Sequence, residues 1–379
     1  MPSAKPVGSA PRLPWRGPVA ALAFASLLAS CGARGEIGYD PAAASVGSVQ
    51  TIVVATDRAP APEGLTFTNQ RATVPSFARF RISVPPDRAL GDVTFPESDP
   101  PDPRTDFLTV GVDRLEGDRG FVAAIDAELR QKGSNGDVSL FVHGYNNTFA
   151  EALYQQAQLI HDYGGRAAAV QFSWPSAGTA TGYGYDRESV MYSRDSLERV
   201  LTDLTRTRAR NVNLIAHSMG TFLLMDTLWS MAKAGDRDFF RRINAVVLLS
   251  PDIDIDVFRR EALPVLQMGV PVFVVVSTQD KALLISARMR GETERVGSID
   301  SLSDLGNLDV TVIDLSSIDA GGDMGHFALA HSPDLINMLG GMMRAGQDVL
   351  STPRQRGIIG TSVAILKQDT GLVLAPLAP

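Results

Sequence analysis

The chain has 379 residues, of which 44% are hydrophobic and 20% charged, and it contains a single cysteine. This composition excludes a disordered or fibrous protein and fits one large globular domain with extensions. The formal net charge of −7, without a basic cluster that could neutralise phosphates, argues against nucleic acid as a partner. One thiol also excludes an intramolecular disulfide and a cysteine-based zinc site.

The first thirty residues differ from the rest of the chain. Three basic residues lead into a mostly apolar run over residues 18–30, which is typical of a secretory signal peptide. L-A-S-C at residues 28–31 resembles a bacterial lipobox, in which Cys31 is lipidated after the preceding peptide is removed. The alternative is an ordinary signal-peptidase site that happens to precede a cysteine. We expect residues 1–30 to be removed, which would leave a formal charge of −10.

These features predict an exported lipoprotein of the bacterial cell envelope, anchored to the membrane through Cys31. Gly32, in place of aspartate, would permit transfer to the outer membrane in a Gram-negative host, on its periplasmic face. Residues 31–48 are rich in small residues and are interpreted as a tether. Residues 49–350 are interpreted as the folded domain, and residues 351–379 as a tail without an assignable role.

The folded domain shows a regular succession of predicted elements. Two strands, residues 50–56 and 77–84, are followed by a loop rich in proline and aspartate over residues 85–104. Strands are then predicted at 138–142, 167–174, 212–216, 245–249, 270–276 and 310–315, and helices at 149–163, 187–205, 221–233 and 333–343. Continuous apolar strands separated by helices indicate an α/β fold, with a mostly parallel central sheet and helices on both faces.

The most informative motif is V-N-L-I-A-H-S-M-G at residues 212–220. An apolar strand, a tight turn and a helix in this order form a nucleophile elbow, which lifts the hydroxyl of Ser218 above the sheet edge. The helix N-terminus behind it favours a developing negative charge. Ala216 stands where glycine is more common, but alanine is still small enough for strand and helix to pack closely. The motif predicts Ser218 as a catalytic nucleophile.

A serine nucleophile needs a base, and the base needs an acidic partner. In this architecture the acid and then the histidine follow the serine along the chain. Asp280, in S-T-Q-D-K-A-L, follows one predicted strand, and His326, in G-G-D-M-G-H-F, follows the next. Asp280 has an alternative role as a helix N-cap, and Asp252 and Asp254 compete for the acidic role. His331 competes with His326, which we prefer because glycines around it allow a tight loop.

An oxyanion hole needs two preorganised N–H donors. The first expected donor is the backbone N–H of Met219, directly after the nucleophile. The second is expected in F-V-H-G-Y-N-N-T-F at residues 141–149, where Gly144 lets the backbone approach the substrate and Tyr145 offers its N–H. Three aromatic residues follow the next strand, and they either line the pocket mouth or cover the core: Trp174, Tyr183 and Tyr185.

The chain resembles the bacterial alpha/beta-hydrolase family DUF900, a domain of unknown function in the esterase/lipase superfamily. The resemblance extends from about residue 54 to residue 343 and rests on F-V-H-G-Y-N-N-T-F, V-Q-F-S-W-P-S, L-I-A-H-S-M-G, S-P-D-I-D-I-D-V-F, S-T-Q-D-K-A-L and G-H-F. It implies an alpha/beta-hydrolase fold for residues 49–350, with Ser218, Asp280 and His326 as the catalytic triad. It does not imply a substrate.

The expected function is that of a serine hydrolase, and in particular a carboxylic ester hydrolase that forms an acyl-enzyme. The expected partner is a small-molecule ester or other acyl compound, and no cofactor or metal is required. The insert at residues 178–185 is rich in glycine but not markedly apolar, which favours short-chain or polar esters. The alternatives are an amidase or thioesterase with the same triad, and a non-catalytic envelope lipoprotein that uses the fold as an interaction surface. The pattern does not predict an oligomeric state.

Overall fold

A mixed sheet of eleven strands lies at the centre of the chain. The computed structural model describes residues 35–63, 66–131, 136–164, 167–277, 295–298 and 305–315, and the backbone of residues 362–367 and 371–376. The strands in these ranges are β1 (Ser48–Pro60), β2 (Phe67–Val84), β3 (Leu108–Leu115), β4 (Asp137–Val142), β5 (Ala168–Ser173), β6 (Asn211–His217), β7 (Ile243–Leu249), β8 (Val272–Val276), β9 (Thr311–Asp314), β10 (Ser362–Lys367) and β11 (Gly371–Pro376).

Most of the sheet is parallel. Its strand order is β11-β10-β9-β8-β7-β6-β4-β5-β1-β2-β3. All neighbours from β10 to β1 run parallel, and only the outer pairs β10–β11, β1–β2 and β2–β3 are antiparallel. The carboxyl ends of the central strands therefore meet at one edge, which is where sheets of this kind place their sites.

Helices cover both faces of the sheet. They are α1 (Gly117–Gln131), α2 (Phe149–Tyr163), α3 (Tyr183–Leu204), α4 (Met219–Ala234), α5 (Arg237–Phe240) and α6 (Ile255–Gln267). Successive strand residues point to opposite faces. Val53 and Leu140 belong to the core that contains residues of α1, α3, α4 and α6, whereas Val54 and Phe141 face the side covered by α2. The predicted fold class is confirmed.

The structure also contains elements that the sequence patterns did not predict. Strand β3 and helices α1, α5 and α6 are additional, and α6 contains Pro264 in its interior. Helix α3 begins at Tyr183, four residues before the predicted start, so Tyr183 and Tyr185 lie on a helix and not in a loop. The predicted helix at 333–343 lies outside the described residues.

Much of the segment predicted as a tether belongs to the fold. The Asp40 side chain caps a short 3-10 turn, Pro41–Ser45. Thr109 donates a backbone hydrogen bond to Gly38 at 2.7 Å and accepts one from Asp40 at 3.1 Å. The C-terminal tail likewise contributes β10 and β11. In the ranges described above, no helix is long and apolar enough to cross a membrane. Cys31 lies outside those ranges.

Candidate active site

Ser218 occupies a sharp turn between β6 and α4. Its backbone has φ 52° and ψ −125°, and the residue is 2% exposed. Its N–H donates to the carbonyl oxygen of Leu249 at 2.9 Å, and its own carbonyl accepts from the N–H and Oγ1 of Thr221 at 3.0 and 2.6 Å. Hydrogen bonds on both sides thus hold the turn in a conformation that L-residues rarely adopt.

Backbone strain is concentrated at this edge of the sheet. Among the described residues, three other than glycine have a positive φ: Asn146 at 58°, Ser218 at 52° and Ser250 at 45°. They follow β4, β6 and β7, which are neighbours in the sheet. Such conformations cost about 1 to 3 kcal/mol each and cluster at functional sites. The strain therefore marks the carboxyl edge around Ser218 as a candidate site.

Two glycines bring the loop after β4 into backbone contact with the turn. A Cβ at Gly144 would lie 2.9 Å from the Cβ of Ser218 and 2.7 Å from Nδ1 of His217. A Cβ at Gly220 would lie only 2.2 Å from the carbonyl oxygen of His143. Both positions therefore exclude any side chain. The loop that carries Gly144 and Tyr145 lies beside Ser218 because these two glycines permit it.

The residues expected to supply the oxyanion donors flank Ser218. Met219 is the first residue of α4 and is fully buried. The N–H of the first residue of a helix has no acceptor within that helix, so the N–H of Met219 suits a ligand. Tyr145 is half-buried, its hydroxyl donates to the carbonyl oxygen of Ala180, and its ring packs edge-on against Tyr183 with centroids 5.2 Å apart. The loop between β4 and α2 and the first turn of α4 thus approach the same serine.

A fully buried arginine lies beneath this loop. Arg58, near the end of β1, donates to the carbonyl oxygens of Asn147 at 2.9 Å and Ser176 at 3.2 Å, and to Oγ of Ser173 at 3.1 Å. Burial lowers the pKa of Arg58 to about 10, and the nearby charge of Asp186 opposes this shift. Arg58 therefore joins β1, the loop after β4 and the loop after β5.

Asp186 completes the support of the loop. It accepts hydrogen bonds from Oγ of Ser176 at 2.6 Å, from the N–H of Ala177 at 2.6 Å and from the N–H of Asn146 at 3.1 Å. Burial raises its pKa, and these hydrogen bonds and Arg58 oppose the rise. Neither Asp186 nor Arg58 was singled out from the sequence. The available signal was an arginine in T-D-R, at the end of a strand whose other residues are apolar.

Trp174 covers the core and does not line a pocket mouth. It is fully buried and stacks on His143, with ring centroids 4.8 Å apart and an interplanar angle of 11°. Its Nε1 donates to the carbonyl oxygen of His143 at 2.8 Å. Tyr183 is also buried, whereas Tyr185 is half-buried with the guanidinium of Arg71 4.4 Å from its ring centroid. These aromatics were predicted either to line the pocket mouth or to cover the core, and Trp174 covers the core.

The two competing aspartates are engaged in other interactions. Asp252 is buried, accepts a hydrogen bond from the Tyr183 hydroxyl at 3.0 Å and pairs with Nε of Arg295 at 3.4 Å. Asp254 caps α6, because its side chain accepts from the N–H groups of Asp256 and Val257. Asp280, His326 and His331 lie outside the described residues. No group of three or more potential metal ligands occurs within the described part of the chain.

The family assignment rests on most of the folded domain. Residues 122–342, more than half of the chain, match the family model for an alpha/beta hydrolase of unknown function, DUF900. The chain belongs to the DUF900 family. The match includes the strained turn at Ser218 and the loop at Gly144. The predicted resemblance to DUF900 is therefore confirmed over residues 122–342, a shorter stretch than the predicted 54–343. No curated protein matches this DUF900 chain in sequence.

The solved structures similar to this DUF900 protein include a lipase and several esterases. Lipase B of Aspergillus fumigatus is 15% identical with a TM-score of 0.36, over 56% of this chain and 54% of the lipase. The chain thus spans about half the length of that lipase. A hyperthermophilic esterase of the archaeon Pyrobaculum calidifontis is 10% identical with a TM-score of 0.35, over 87% of this chain and 98% of the esterase. An esterase of Rhizomucor miehei is 13% identical with a TM-score of 0.33, over 87% of this chain and 97% of the esterase.

Proposed function

We propose that this DUF900 protein is a serine hydrolase that cleaves carboxylic esters through an acyl-enzyme. The observation that supports this most directly is the strained turn at Ser218, with the backbone of Gly144 packed against it. A strained serine between a parallel strand and a helix N-terminus is the geometry of a nucleophile elbow.

The proposed reaction has two halves. Oγ of Ser218 attacks the acyl carbonyl carbon while His326 takes the hydroxyl proton, and the carbonyl oxygen becomes an oxyanion held by the N–H groups of Met219 and Tyr145. Collapse of this intermediate breaks the bond to the alcohol oxygen, which receives the proton from His326. Water, deprotonated by His326, then attacks the acyl carbon. Collapse of this second intermediate breaks the bond to Oγ of Ser218, which receives the proton from His326, and the acid is released. Asp280 holds the tautomer of His326.

We keep Asp280 as the proposed acid and Asp252 as the alternative. The Asp252 carboxylate already pairs with Arg295 and accepts from Tyr183. Asp280 follows β8, one strand further along the sheet, in the chain order that the triad requires. Asp252 also accepts from the hydroxyl of Tyr183, whose ring packs against Tyr145.

Hydrolysis of matched chromogenic substrates tests this proposal. We expect the wild type to cleave p-nitrophenyl acetate with a burst that reports acyl-enzyme formation. Ser218→Ala should abolish the burst and lower kcat by a factor on the order of 10⁶. Ser193 is a different buried serine, which lies on α3, and Ser193→Ala should leave the rate per folded molecule unchanged.

Other outcomes would redirect the assignment. Cleavage of an anilide or a thioester in preference to the matched ester would make the protein an amidase or a thioesterase with the same nucleophile. A folded wild type that cleaves none of the three would contradict hydrolase function and favour the non-catalytic envelope protein. Hydrolysis that persists in Ser218→Ala would place the nucleophile elsewhere.

We also propose that the chain is exported and lipidated at Cys31, as the L-A-S-C motif predicts. Cys31 is the only cysteine, so incorporation of a fatty-acid analogue can be assigned without ambiguity. Labelling of the full chain in a bacterial host, together with recovery in the detergent phase, should be lost in Cys31→Ser. Equal labelling of both proteins would contradict lipidation at this residue.

A further inference from the structure

The peptide bond between Gly144 and Tyr145 is held by one buried side chain. Nδ2 of Asn147 lies 3.2 Å from the carbonyl oxygen of Gly144 and 3.0 Å from that of Tyr145. Asn147 is 1% exposed. Its amide group therefore donates to two consecutive carbonyls of the loop that lies against Ser218.

Holding the Gly144 carbonyl also sets the direction of the Tyr145 N–H. The C=O and N–H of one trans peptide point in opposite directions because the group is planar. With its carbonyl directed at Asn147, the Gly144–Tyr145 peptide must direct the N–H of Tyr145 to the other side of the loop. The next peptide is held as well, since the N–H of Asn146 donates to Asp186 at 3.1 Å. Both peptides that flank Tyr145 are thus fixed.

His143 also lies next to the Gly144 carbonyl, but it donates to that carbonyl in only one of its two tautomers. Its Nδ1 lies 2.9 Å from that oxygen, while its Nε2 lies 3.0 Å from the carbonyl oxygen of Trp174. Burial, reinforced by the charge of Arg58, lowers the pKa of His143 to about 3, so the ring is neutral and has a single N–H. It can donate to only one of the two carbonyls. The side-chain amide of Asn147 has two N–H hydrogens, so it can donate to both carbonyls that it contacts.

Asn147 is itself held in place by the buried network. Its N–H donates to Oγ of Ser176 at 3.1 Å, and its carbonyl oxygen accepts from Nη2 of Arg58 at 2.9 Å. Helix α2 begins directly afterwards with a capping box, in which Thr148 and Glu151 exchange hydrogen bonds. The backbone at Asn147 is therefore fixed before any substrate binds, which is the condition for a preorganised donor site.

We infer that Asn147 is a positioning residue for catalysis, whose side-chain amide orients the Gly144–Tyr145 peptide so that the Tyr145 N–H faces the oxyanion. The inference rests on the proposed function of Ser218. Asn147 itself touches no reacting atom. Its contribution belongs to the transition state, because the oxyanion forms only there and the ground-state ester gains little from the same donor.

The test replaces the amide by an apolar group with the same branched four-atom skeleton. Asn147→Leu is expected to lower kcat for p-nitrophenyl acetate about 10- to 100-fold with KM unchanged, by analogy with the loss of one oxyanion donor. Gln156→Leu is the matched control, because this buried amide donates to the carbonyl oxygen of Val170 on β5, away from Ser218. It should lower thermal stability but leave kcat per folded molecule unchanged.

A second readout isolates the oxyanion from general loss of structure. The thiono analogue of the ester develops its charge on sulfur, which accepts hydrogen bonds weakly. The wild-type preference for the oxygen ester should therefore shrink in Asn147→Leu and stay constant in Gln156→Leu. If Asn147→Leu does not fold, Asn147→Ala removes both donors without adding volume, so the same loss of kcat is expected.

The possible failures are distinguishable. A wild type without any Ser218-dependent hydrolysis would overturn the proposed function and this inference together. Ser218-dependent hydrolysis in the wild type, with kcat and the oxygen-to-sulfur preference of Asn147→Leu both at wild-type values, would overturn the positioning role alone.

Discussion

Gly220 and His143 are in backbone contact across two neighbouring strands of the sheet. A Cβ on Gly220 would lie 2.2 Å from the carbonyl oxygen of His143 and 2.8 Å from that of Val142. Only glycine lets the first turn of α4 approach the end of β4 this closely. The same approach carries the N–H groups that follow Ser218 next to the loop of Gly144. Glycine at 220 is thus a geometric requirement of the site.

Gly220→Ala should therefore impair both stability and catalysis. The added methyl group must displace backbone and not a flexible side chain, so we expect a loss of about 1 to 3 kcal/mol in unfolding free energy. Ester hydrolysis should fall because the two donor-bearing segments move apart. Gly184→Ala is the control, since a Cβ there meets nothing within 4 Å. It should be neutral or slightly stabilising, and equal effects of the two changes in denaturant melts would contradict this packing.

The strain at Ser218 predicts an unusual order of stabilities. Glycine adopts a positive φ without steric cost, whereas alanine does not. We expect Ser218→Gly to be more stable than Ser218→Ala by about 1 kcal/mol. Ser193, inside helix α3, should show the opposite order, because glycine destabilises a helix relative to alanine. Chemical denaturation of the four variants measures both differences, and the same order at both serines would argue against strain at 218.

Asp57 should make the folded protein less stable as pH rises. Burial raises the pKa of its carboxyl from 3.8 to about 6, partly opposed by the hydroxyls of Ser196 and Ser193. Ionisation of Asp57 therefore costs more free energy in the folded than in the unfolded state. This cost appears as pH rises above 3.8 and is complete above about 6. Asp57→Asn should gain about 2 to 3 kcal/mol at about pH 8 and little at about pH 4. A gain that does not depend on pH would contradict this origin.

Asp162 should show the opposite dependence. Burial alone would raise the pKa of this carboxyl, but hydrogen bonds from His161, Arg88, Gln158 and the N–H of Gly91 outweigh it and hold the pKa below its usual range. The carboxylate therefore stabilises the fold above its unfolded pKa and loses this effect as pH falls. Asp162→Asn should cost about 3 to 5 kcal/mol at about pH 7, since it leaves Arg88 buried and unpaired. The cost should shrink in urea melts at lower pH.

The sequence predicted those parts of the site that depend on residues close together in the chain. The turn at Ser218 and the close approach of Gly144 are readable because strand, small residues and helix follow one another directly. The fold class was likewise predictable, since continuous apolar strands alternate with helices.

The support beneath the loop was not predictable, for a physical reason. Arg58 contacts Asn147 and Ser176 across 89 and 118 residues of chain, so no local pattern encodes these pairs. Helix α6 was missed because Pro264, which ordinarily ends a helix, lies inside it. The folded segment around Asp40 was missed because small residues are equally typical of a flexible tether.

Covalent labelling of Ser218 tests the central claim most directly. The folded domain, treated with a fluorophosphonate, should gain the mass of one phosphonyl group, and peptide mapping should place it on Ser218. Ser218→Ala should gain none. An adduct on Ser250, the neighbouring strained serine, or no adduct on a well-folded wild type, would contradict Ser218 as the activated nucleophile.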